Sequence, residues 1–291
     1  MKRTLSLLMA VLMLTAVVLT GCSSGGTTSG AASSSDASSA SSEAESESSA
    51  AEENDLLAQI KEKGTITVAM EGTWAPWTYH DADDNLVGYD VEVAQNIAEK
   101  LGVEVNFVEG EWDGLLAGLD AGRYDIMVNG VDITPERAEK YDFSTPYAFN
   151  RTAVITKADD DSINTLEDLK GKKTANTISS TYAELAEQYG ATVTGVDDLN
   201  QTFELLLSGR IDATLNAEMT FYDYTKEHPD ANVKIAVLTD DANRIAIPMR
   251  KGDETATLRT AIDAAIDELR ADGTLKALSE KYFGRDISTE E

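Results

Sequence analysis

From residue 55 onward, short apolar and β-branched runs alternate with stretches whose apolar residues recur at helical spacing. The run 66–70 has the composition of a strand, and 91–101 places Ala94, Ile97 and Leu101 on one face of a helix. We predict further strands at 103–108, 124–128, 152–156, 173–177, 192–196, 211–215, 233–237 and 245–249. We predict further helices at 112–119, 182–189, 199–208, 218–227, 255–271 and 274–282. This alternation is typical of an α/β fold with parallel sheets covered by helices, and it favours a ligand crevice at the carboxyl ends of the strands.

The first 22 residues have the layout of an export signal. Lys2 and Arg3 precede an apolar run at 5–19, and the segment ends in Leu-Thr-Gly-Cys22, where Cys22 is the only cysteine of the chain. The apolar run is too short for a comfortable bilayer span. A small-residue pair followed by cysteine resembles the lipobox of bacterial lipoproteins, which implies a signal peptide 1–22 and a lipid on Cys22. The alternative is a secretory signal with an incidental cysteine.

Residues 23–54 are mostly Ser, Ala and Gly with several acidic residues, and they contain no aromatic residue, Lys or Arg. Such a segment cannot bury enough apolar surface to offset its ordering entropy, so we expect a disordered tether. A tether of this composition is a flexible spacer that keeps a globular domain near the membrane.

Charge and composition exclude several classes of function. The formal net charge of −28 argues against nucleic-acid partners. With Cys22 lipidated, no thiol remains for a disulfide or a cysteine metal site, and His80 and His228 stand far apart in polar stretches. We find no P-loop, G-x-G-x-x-G, G-x-S-x-G or H-E-x-x-H pattern, so we expect no catalytic residue, no cofactor and no metal.

Seven segments, taken in order and spacing, resemble the extracellular solute-binding proteins of polar amino-acid ABC transporters. These segments are 72–77, 86–94, 111–115, 134–137 with 141–144, 166–172, 208–213 and 271–275. The resemblance covers residues 55–285 and implies an α/β, two-lobed, periplasmic-binding-protein-like clamshell of type II, with a sheet flanked by helices in each lobe. Lobe 1 would combine 55–149 with 245–291, and lobe 2 would be 150–244. The chain would cross between the lobes near 148–151 and 243–245, and the lobes would close over a ligand.

The function implied by the resemblance is that of a lipid-anchored receptor, and not of an enzyme. A monomer on the extracellular face of the cell membrane, or on the periplasmic side where an outer membrane exists, would bind a free L-amino acid. It would deliver this ligand, a polar amino acid or cystine, to the permease of an ABC transporter. Two alternatives stay open. One is a dehydratase on the same fold, similar to cyclohexadienyl dehydratases, with Glu218 or Asp132 as its acid group, and the other is a sensor or adhesin module.

An amino-acid zwitterion that leaves water needs a cation and donors for its carboxylate. Arg137 is the best carboxylate partner, because a guanidinium binds both oxygens. Thr134 followed by Pro135 predicts a helix N-cap and first residue, which places Arg137 at the third position near a positive helix end. The alternative is a surface arginine paired with Glu136 or Glu139.

A second helix start is predicted in the other lobe, where Thr181 and Glu184 have the spacing of a capping box. Free backbone N–H groups at such a start bind anions. The resemblance assigns Ser180 and Thr181 to the ligand carboxylate, and the alternative is a plain cap.

The ligand ammonium needs acceptors. The family usually supplies an Asp after a strand of lobe 2, where this chain has Ala217 and then Glu218. We predict that Glu218 replaces that Asp, with Asp132, the Gly130 carbonyl and the polar Asn129 on the opposite wall. The alternative for Glu218 is an exposed residue at a helix start.

Trp74 and Trp112 stand where the family places residues that sandwich the ligand, and an indole face attracts an ammonium. For Trp77 we predict core packing instead.

Overall fold

Two β-sheets organise residues 55–290, which is the part of the chain that the computed structural model describes. The predicted signal peptide 1–22, its Cys22 and the tether 23–54 lie outside the described residues. The helices are α1 (Leu56–Lys63), α2 (Tyr89–Leu101), α3 (Trp112–Asp120), α4 (Pro135–Lys140), α5 (Thr181–Gln188), α6 (Leu199–Leu207), α7 (Glu218–Glu227), α8 (Ala256–Ala271) and α9 (Thr274–Phe283), with 3₁₀ turns at Leu166–Leu169 and Asp253–Thr255. The strands are β1 (Thr65–Met70), β2 (Thr73–Trp74), β3 (Thr78–His80), β4 (Leu86–Val87), β5 (Glu104–Glu109), β6 (Ile126–Met127), β7 (Tyr141–Phe143), β8 (Ala148–Asn150), β9 (Thr152–Lys157), β10 (Lys173–Asn176), β11 (Thr192–Gly195), β12 (Ala213–Ala217), β13 (Val233–Leu238), β14 (Asn243–Ile245) and β15 (Pro248–Arg250).

The first sheet has the strand order β5-β1-β6, and both of its pairings are parallel, as predicted. The strands are joined by the helices α2 and α3, and α8 and α9 pack on α2. The apolar face of α2 buries Ala94, Ile97 and Leu101 in a core that also holds Trp77 and Tyr89. We call this part of the structure, with α1 to α4, α8 and α9, lobe 1.

The second sheet has the order β11-β10-β12-β9-β13 and is mixed. β10 pairs in parallel with β11 and β12, but β9 is antiparallel to both β12 and β13. The prediction of purely parallel pairing was therefore wrong for β9. A helical crossover keeps neighbouring strands parallel, whereas β9 enters the sheet directly from β8 without a helix between them. We call this sheet and its helices α5, α6 and α7 lobe 2.

Two short strand pairs and the three-stranded antiparallel sheet β2-β3-β4 lie outside these sheets. β8 and β14 form an antiparallel ribbon at 148–150 and 243–245, the two places where the chain is predicted to cross between lobes. β7 pairs with β15. The single strand predicted at 245–249 was wrong, because the Ala246 N–H donates to the Val131 carbonyl and the Ile247 N–H donates to Ser144 Oγ. The sequence limits given to the lobes stay a prediction.

The described residues form a two-lobed α/β clamshell, as expected from the resemblance. Each sheet has its own apolar core, with Trp77, Tyr89 and Ile262 in lobe 1 and Phe203 and Leu206 in lobe 2. Within residues 55–290, we find no helix long and apolar enough to cross a membrane.

Candidate functional site

A pocket of about 670 Å³, counting the space that opens to solvent, is lined by residues of both lobes. Three of its polar side chains come from the carboxyl ends of strands. Glu71 follows β1, Asn176 ends β10, and Asn216 lies near the end of β12. The pocket brings together the predicted ligand residues Trp74, Trp112, Gly130, Asp132, Arg137, Ser180 and Thr181.

Arg137 is the cation of this pocket. Thr134 Oγ1 accepts the Arg137 N–H at 3.1 Å and Pro135 is the first residue of α4, which confirms the predicted cap. The Arg137 guanidinium donates to the carbonyls of Asp132 and Ser179, each at 3.3 Å. It forms no ion pair with a carboxylate among the described residues, and the side chain is 7% exposed. A buried guanidinium with only carbonyl partners is suited to receive an anion.

α5 begins one residue earlier than the capping-box pattern implied. Ser180 is its N-cap, and Ser180 Oγ accepts the Ala183 N–H at 3.2 Å. The capping box between Thr181 and Glu184 was therefore wrong. Because Thr181 is not the cap, its hydroxyl is free to donate to Asp132 Oδ2 at 2.5 Å, which joins the two lobes.

Two buried acceptors in the pocket lack a donor. Asp132 Oδ1 and Asn176 Oδ1 have no hydrogen-bond partner among residues 55–290. The Asn176 amide is oriented by its Nδ2, which donates to the Leu215 carbonyl at 2.6 Å. Burial raises the pKa of Asp132 to about 6, although Thr181 and Arg137 lower it. Buried oxygens without donors are costly, so their presence marks a place suited to a ligand that donates hydrogen bonds.

Asn129 acts on the pocket through Glu71. It is fully buried and does not line the pocket itself. Its Nδ2 donates to Glu71 Oε2 at 2.7 Å, and its Oδ1 accepts the Glu71 N–H at 2.7 Å. Burial raises the pKa of Glu71 to about 7, against the lowering effect of Asn129. Sequence reasoning missed Glu71, although a polar residue directly after a predicted strand was the available signal.

Two further acids of lobe 2, Asp197 and Asp198, line the pocket after β11. Asp198 also caps α6, since its Oδ1 accepts the Gln201 N–H at 2.7 Å. Among the described lining residues, the carboxylates are those of Glu71, Asp132, Asp197 and Asp198, and the one Lys or Arg is Arg137. The pocket therefore has an excess of negative charge.

Glu218 does not join this group. It begins α7 with 3% of its surface exposed, so the alternative of an exposed helix-start residue was wrong. Its carboxylate accepts from the Arg151 guanidinium at 3.2 and 3.3 Å, from Arg285 at 3.3 Å and from the Tyr222 hydroxyl at 3.1 Å. Glu218, Arg151 and Arg285 line a second cavity, and none of the other predicted ligand residues lines it.

The tryptophans divide as predicted between core and pocket. Trp77 is fully buried and stacks at 5.4 Å on Trp74, which is half-buried and lines the pocket. Trp74 Nε1 donates to Asn216 Oδ1 across the cleft at 3.3 Å. The Trp74 ring also lies against Gly130, where φ is +55° and a Cβ would come within 2.6 Å of the ring. Trp112 supports Arg137, whose guanidinium carbon is 5.2 Å from its ring centroid.

His80 and His228 are exposed, as predicted. Within the part of the chain that the structure describes, no group of His, Cys, Asp and Glu side chains could hold a metal ion.

Residues 66–285 match the family model of the bacterial extracellular solute-binding proteins, family 3. The L-cystine-binding protein TcyA of Bacillus subtilis (strain 168) is 41% identical over 239 residues, which cover 82% of this chain and 88% of that protein. An ancestral amino acid-binding protein described as a precursor of cyclohexadienyl dehydratase is 30% identical, with a TM-score of 0.71 over 78% of this chain and 99% of that one.

Two solved structures also bear on the arrangement of the lobes. An ancestral arginine-binding protein bound to arginine is 37% identical, with a TM-score of 0.71 over 76% of this chain and 99% of that one. The L-cystine solute receptor of Neisseria gonorrhoeae in the unliganded open conformation is 44% identical, yet its TM-score is 0.57 over 81% of this chain and 99% of that one. The bound protein fits better despite lower identity. Together with the bonds from Trp74 and Thr181 across the cleft, this indicates that the lobes of the present structure are closed.

Proposed function

The chain belongs to the bacterial extracellular solute-binding proteins of family 3, and on that basis we propose that it binds a free amino acid between its lobes for import by an ABC permease. One observation carries the choice of ligand class. The same pocket holds the buried guanidinium of Arg137 without a carboxylate partner among the described residues, and the buried oxygens Asp132 Oδ1 and Asn176 Oδ1 without a donor. An α-amino acid carries the matching carboxylate and ammonium.

In this proposal the ligand carboxylate lies between Arg137 and the start of α5, where Ser180 and Thr181 stand. A guanidinium and a helix start together stabilise an anion that has left water. The ammonium donates to Asp132, to Asn176 and to the Gly130 carbonyl. Because Glu218 is already bonded to two arginines and a tyrosine, it has no part in this arrangement.

We further propose that the far end of the ligand carries a second cationic group. After the α-ammonium is matched with Asp132, the carboxylates of Glu71, Asp197 and Asp198 remain in the pocket. Arginine supplies a guanidinium, and cystine supplies a second ammonium together with a second carboxylate. Cystine is the first choice, since the relative TcyA is named as an L-cystine-binding protein.

A thermal unfolding screen with L-cystine and each of the twenty common amino acids tests the proposal. A ligand present at 100 times its Kd should stabilise the folded protein by about 2.7 kcal/mol. We expect cystine to stabilise most, and the uncharged glutamine to stabilise less than arginine. Glu71→Gln should narrow the difference between arginine and glutamine. The proposal would be overturned if none of the twenty amino acids or cystine stabilised the chain.

The dehydratase alternative has one supporting observation, the likeness to a precursor of cyclohexadienyl dehydratase. Two similar proteins are named as a probable amino-acid ABC transporter-binding protein and as an L-cystine-binding protein, which favours binding without turnover. Incubation with prephenate and with arogenate distinguishes the receptor from the dehydratase. We expect neither compound to be lost faster than at its uncatalysed rate.

We propose that the receptor is held at the outer face of the membrane as a monomer by a lipid on Cys22. The support is the lipobox-like sequence ending at Cys22, which lies outside the described residues. Cys22→Ser should move the protein from the membrane fraction to the soluble fraction. Retention of this variant in the membrane fraction would contradict the anchor.

A further inference from the structure

Ser179 of lobe 2 makes contacts with lobe 1 that no ligand mediates. It lies in the loop before α5, and its Oγ donates to Asp113 Oδ1 in the first turn of α3. The Ser179 carbonyl accepts from Trp112 Nε1 at 3.4 Å and from the Arg137 guanidinium at 3.3 Å. One residue of lobe 2 thus holds three groups of lobe 1.

The Ser179–Asp113 contact differs from the other bonds across the cleft. These other hydrogen bonds, from Trp74 to Asn216 and from Thr181 to Asp132, join residues that line the ligand pocket. Neither Ser179 nor Asp113 is among the described residues that line it, and both are exposed. Their side-chain contact therefore uses no group that lines the pocket, whereas the Ser179 carbonyl accepts from the pocket residues Trp112 and Arg137.

We propose that Ser179 and Asp113 form a latch that stabilises the closed arrangement of the lobes whether or not a ligand is bound, and that slows ligand release. Opening the cleft must separate α3 from the loop before α5, so the open form loses this hydrogen bond and the closed form keeps it. A contact present in one of two conformations shifts their populations by its full free energy. Because the contact lies outside the pocket, the latch acts on any ligand that the closed form encloses.

The first test needs no ligand and so does not depend on the proposed function. The chain contains three tryptophans, which 5-fluorotryptophan labelling makes visible by fluorine NMR. Trp74 reports closure through its bond to Asn216, and the fully buried Trp77, which stacks on Trp74 within lobe 1, reports whether the core of lobe 1 is disturbed. The full chain is unfolded and refolded first, which removes any amino acid that purified with it.

Ser179→Ala and Asp113→Ala should each move the Trp74 signal toward its open position and leave the Trp77 signal in place. An exposed hydrogen bond to a charged group should change the ratio of closed to open forms about three- to ten-fold. Asp113→Asn keeps an acceptor oxygen and should move the signal less than Asp113→Ala. Ser208→Ala is the matched control, because Ser208 is an exposed serine of lobe 2 whose Oγ bonds only the nearby Leu205 carbonyl. A Trp74 signal unchanged in both alanine variants would overturn the latch.

The second test measures release of L-cystine by stopped flow. Dissociation from Ser179→Ala should be about three- to ten-fold faster than from the parent chain, while Ser208→Ala should match the parent. An unchanged dissociation rate in Ser179→Ala would overturn the effect on release. If L-cystine does not bind the parent chain, the proposed ligand is wrong, and the fluorine signals still decide whether the latch exists.

Discussion

Asp132 and Glu218 are both buried acids that the sequence assigns to the same ligand ammonium, yet their surroundings differ. Glu218 accepts from two arginines and a tyrosine, so the protein itself compensates its charge. Asp132 is bonded through Oδ2 to Thr181, and its Oδ1 has no partner among the described residues. Acidity and burial therefore do not separate a ligand group from a structural one, whereas the degree of compensation does.

The difference in compensation between Asp132 and Glu218 affects the stability of the protein. A buried carboxylate that lacks donors destabilises the unliganded protein, while a compensated one is destabilising mainly when a partner is removed. Functional sites often keep such uncompensated groups at the expense of stability. Changes at Asp132 should therefore act on binding, and changes at Glu218 should act on folding.

The largest effect is expected at Arg137, which belongs to the cleft of Asp132. Arg137→Ala should weaken binding of the amino acid found in the thermal screen by about 2–5 kcal/mol, because its carboxylate loses its only buried cation among the described lining residues. Calorimetry measures this loss. Arg151→Ala is the matched control, since Arg151 is bonded to Glu218 outside the pocket, and its affinity should stay near that of the parent. Equal losses of affinity in Arg137→Ala and Arg151→Ala would contradict the distinction between a ligand site around Asp132 and a structural cluster around Glu218.

Asp132→Asn should weaken binding by about 1.5–3 kcal/mol, because a charged acceptor for the ammonium becomes neutral. Its free energy of unfolding without ligand should stay the same or increase, since a buried charge with an unpartnered oxygen is removed. Urea unfolding and calorimetry on the same preparation test both parts. A clear loss of stability with unchanged affinity would assign Asp132 a structural role.

Glu218→Gln should behave in the opposite way. The amide cannot accept from both Arg151 and Arg285 as an anion does, so the free energy of unfolding should fall by about 1–2 kcal/mol, a range that allows for the partial exposure of both arginines. Affinity should be unchanged, because Glu218 lies outside the pocket. A marked loss of affinity would instead support the role that the sequence suggested for Glu218.

Stability should also depend on pH. Burial raises the pKa of Glu71 and Asp90 to about 7 and the pKa of Asp132 to about 6. In the unfolded chain these carboxyls titrate near pH 4, so between about pH 4 and pH 7 the folded protein binds more protons than the unfolded chain. Their contribution to the free energy of unfolding therefore falls as pH rises through this window. Urea unfolding at pH 5 and pH 7.5 measures this fall in the free energy of unfolding. We expect a smaller fall in the double variant Glu71→Gln, Asp132→Asn than in the parent chain, because only Asp90 of the three carboxyls remains.

Some local signals in the sequence were read correctly and others were missed or misplaced. The start of α4 was predicted because the cap Thr134 and Pro135 lie next to each other in the chain. The strand predicted at 211–215 is found at Ala213–Ala217, because Asp212 turns to accept the Lys173 N–H at 2.8 Å and does not extend the strand. The α1 helix was missed, although the cap Asp55 and the left-handed Gly64 stand at its two ends.

The remaining differences between prediction and structure concern contacts between distant parts of the chain. The partners of Glu218 lie 67 residues away on either side, at Arg151 and Arg285, and no local pattern links them. The pocket acids Glu71 and Asp197 could have been found, since each follows a strand at the end where ligands bind in such sheets. To place Glu71 and Asp197 in the pocket, it is enough to know where the strands end. To place Glu218, the positions of its distant partners in the fold must be known.

The ribbon of β8 and β14 has a consequence for how the lobes move. The two strands are hydrogen-bonded to each other at 148–150 and 243–245, so they bend and twist together and do not slide past one another. Relative motion of the lobes is thereby limited to rotation about a narrow axis, with few degrees of freedom to search. Closure then orders little of the chain and loses little conformational entropy. Contacts made on closing then add to affinity with little offset from ordering the chain.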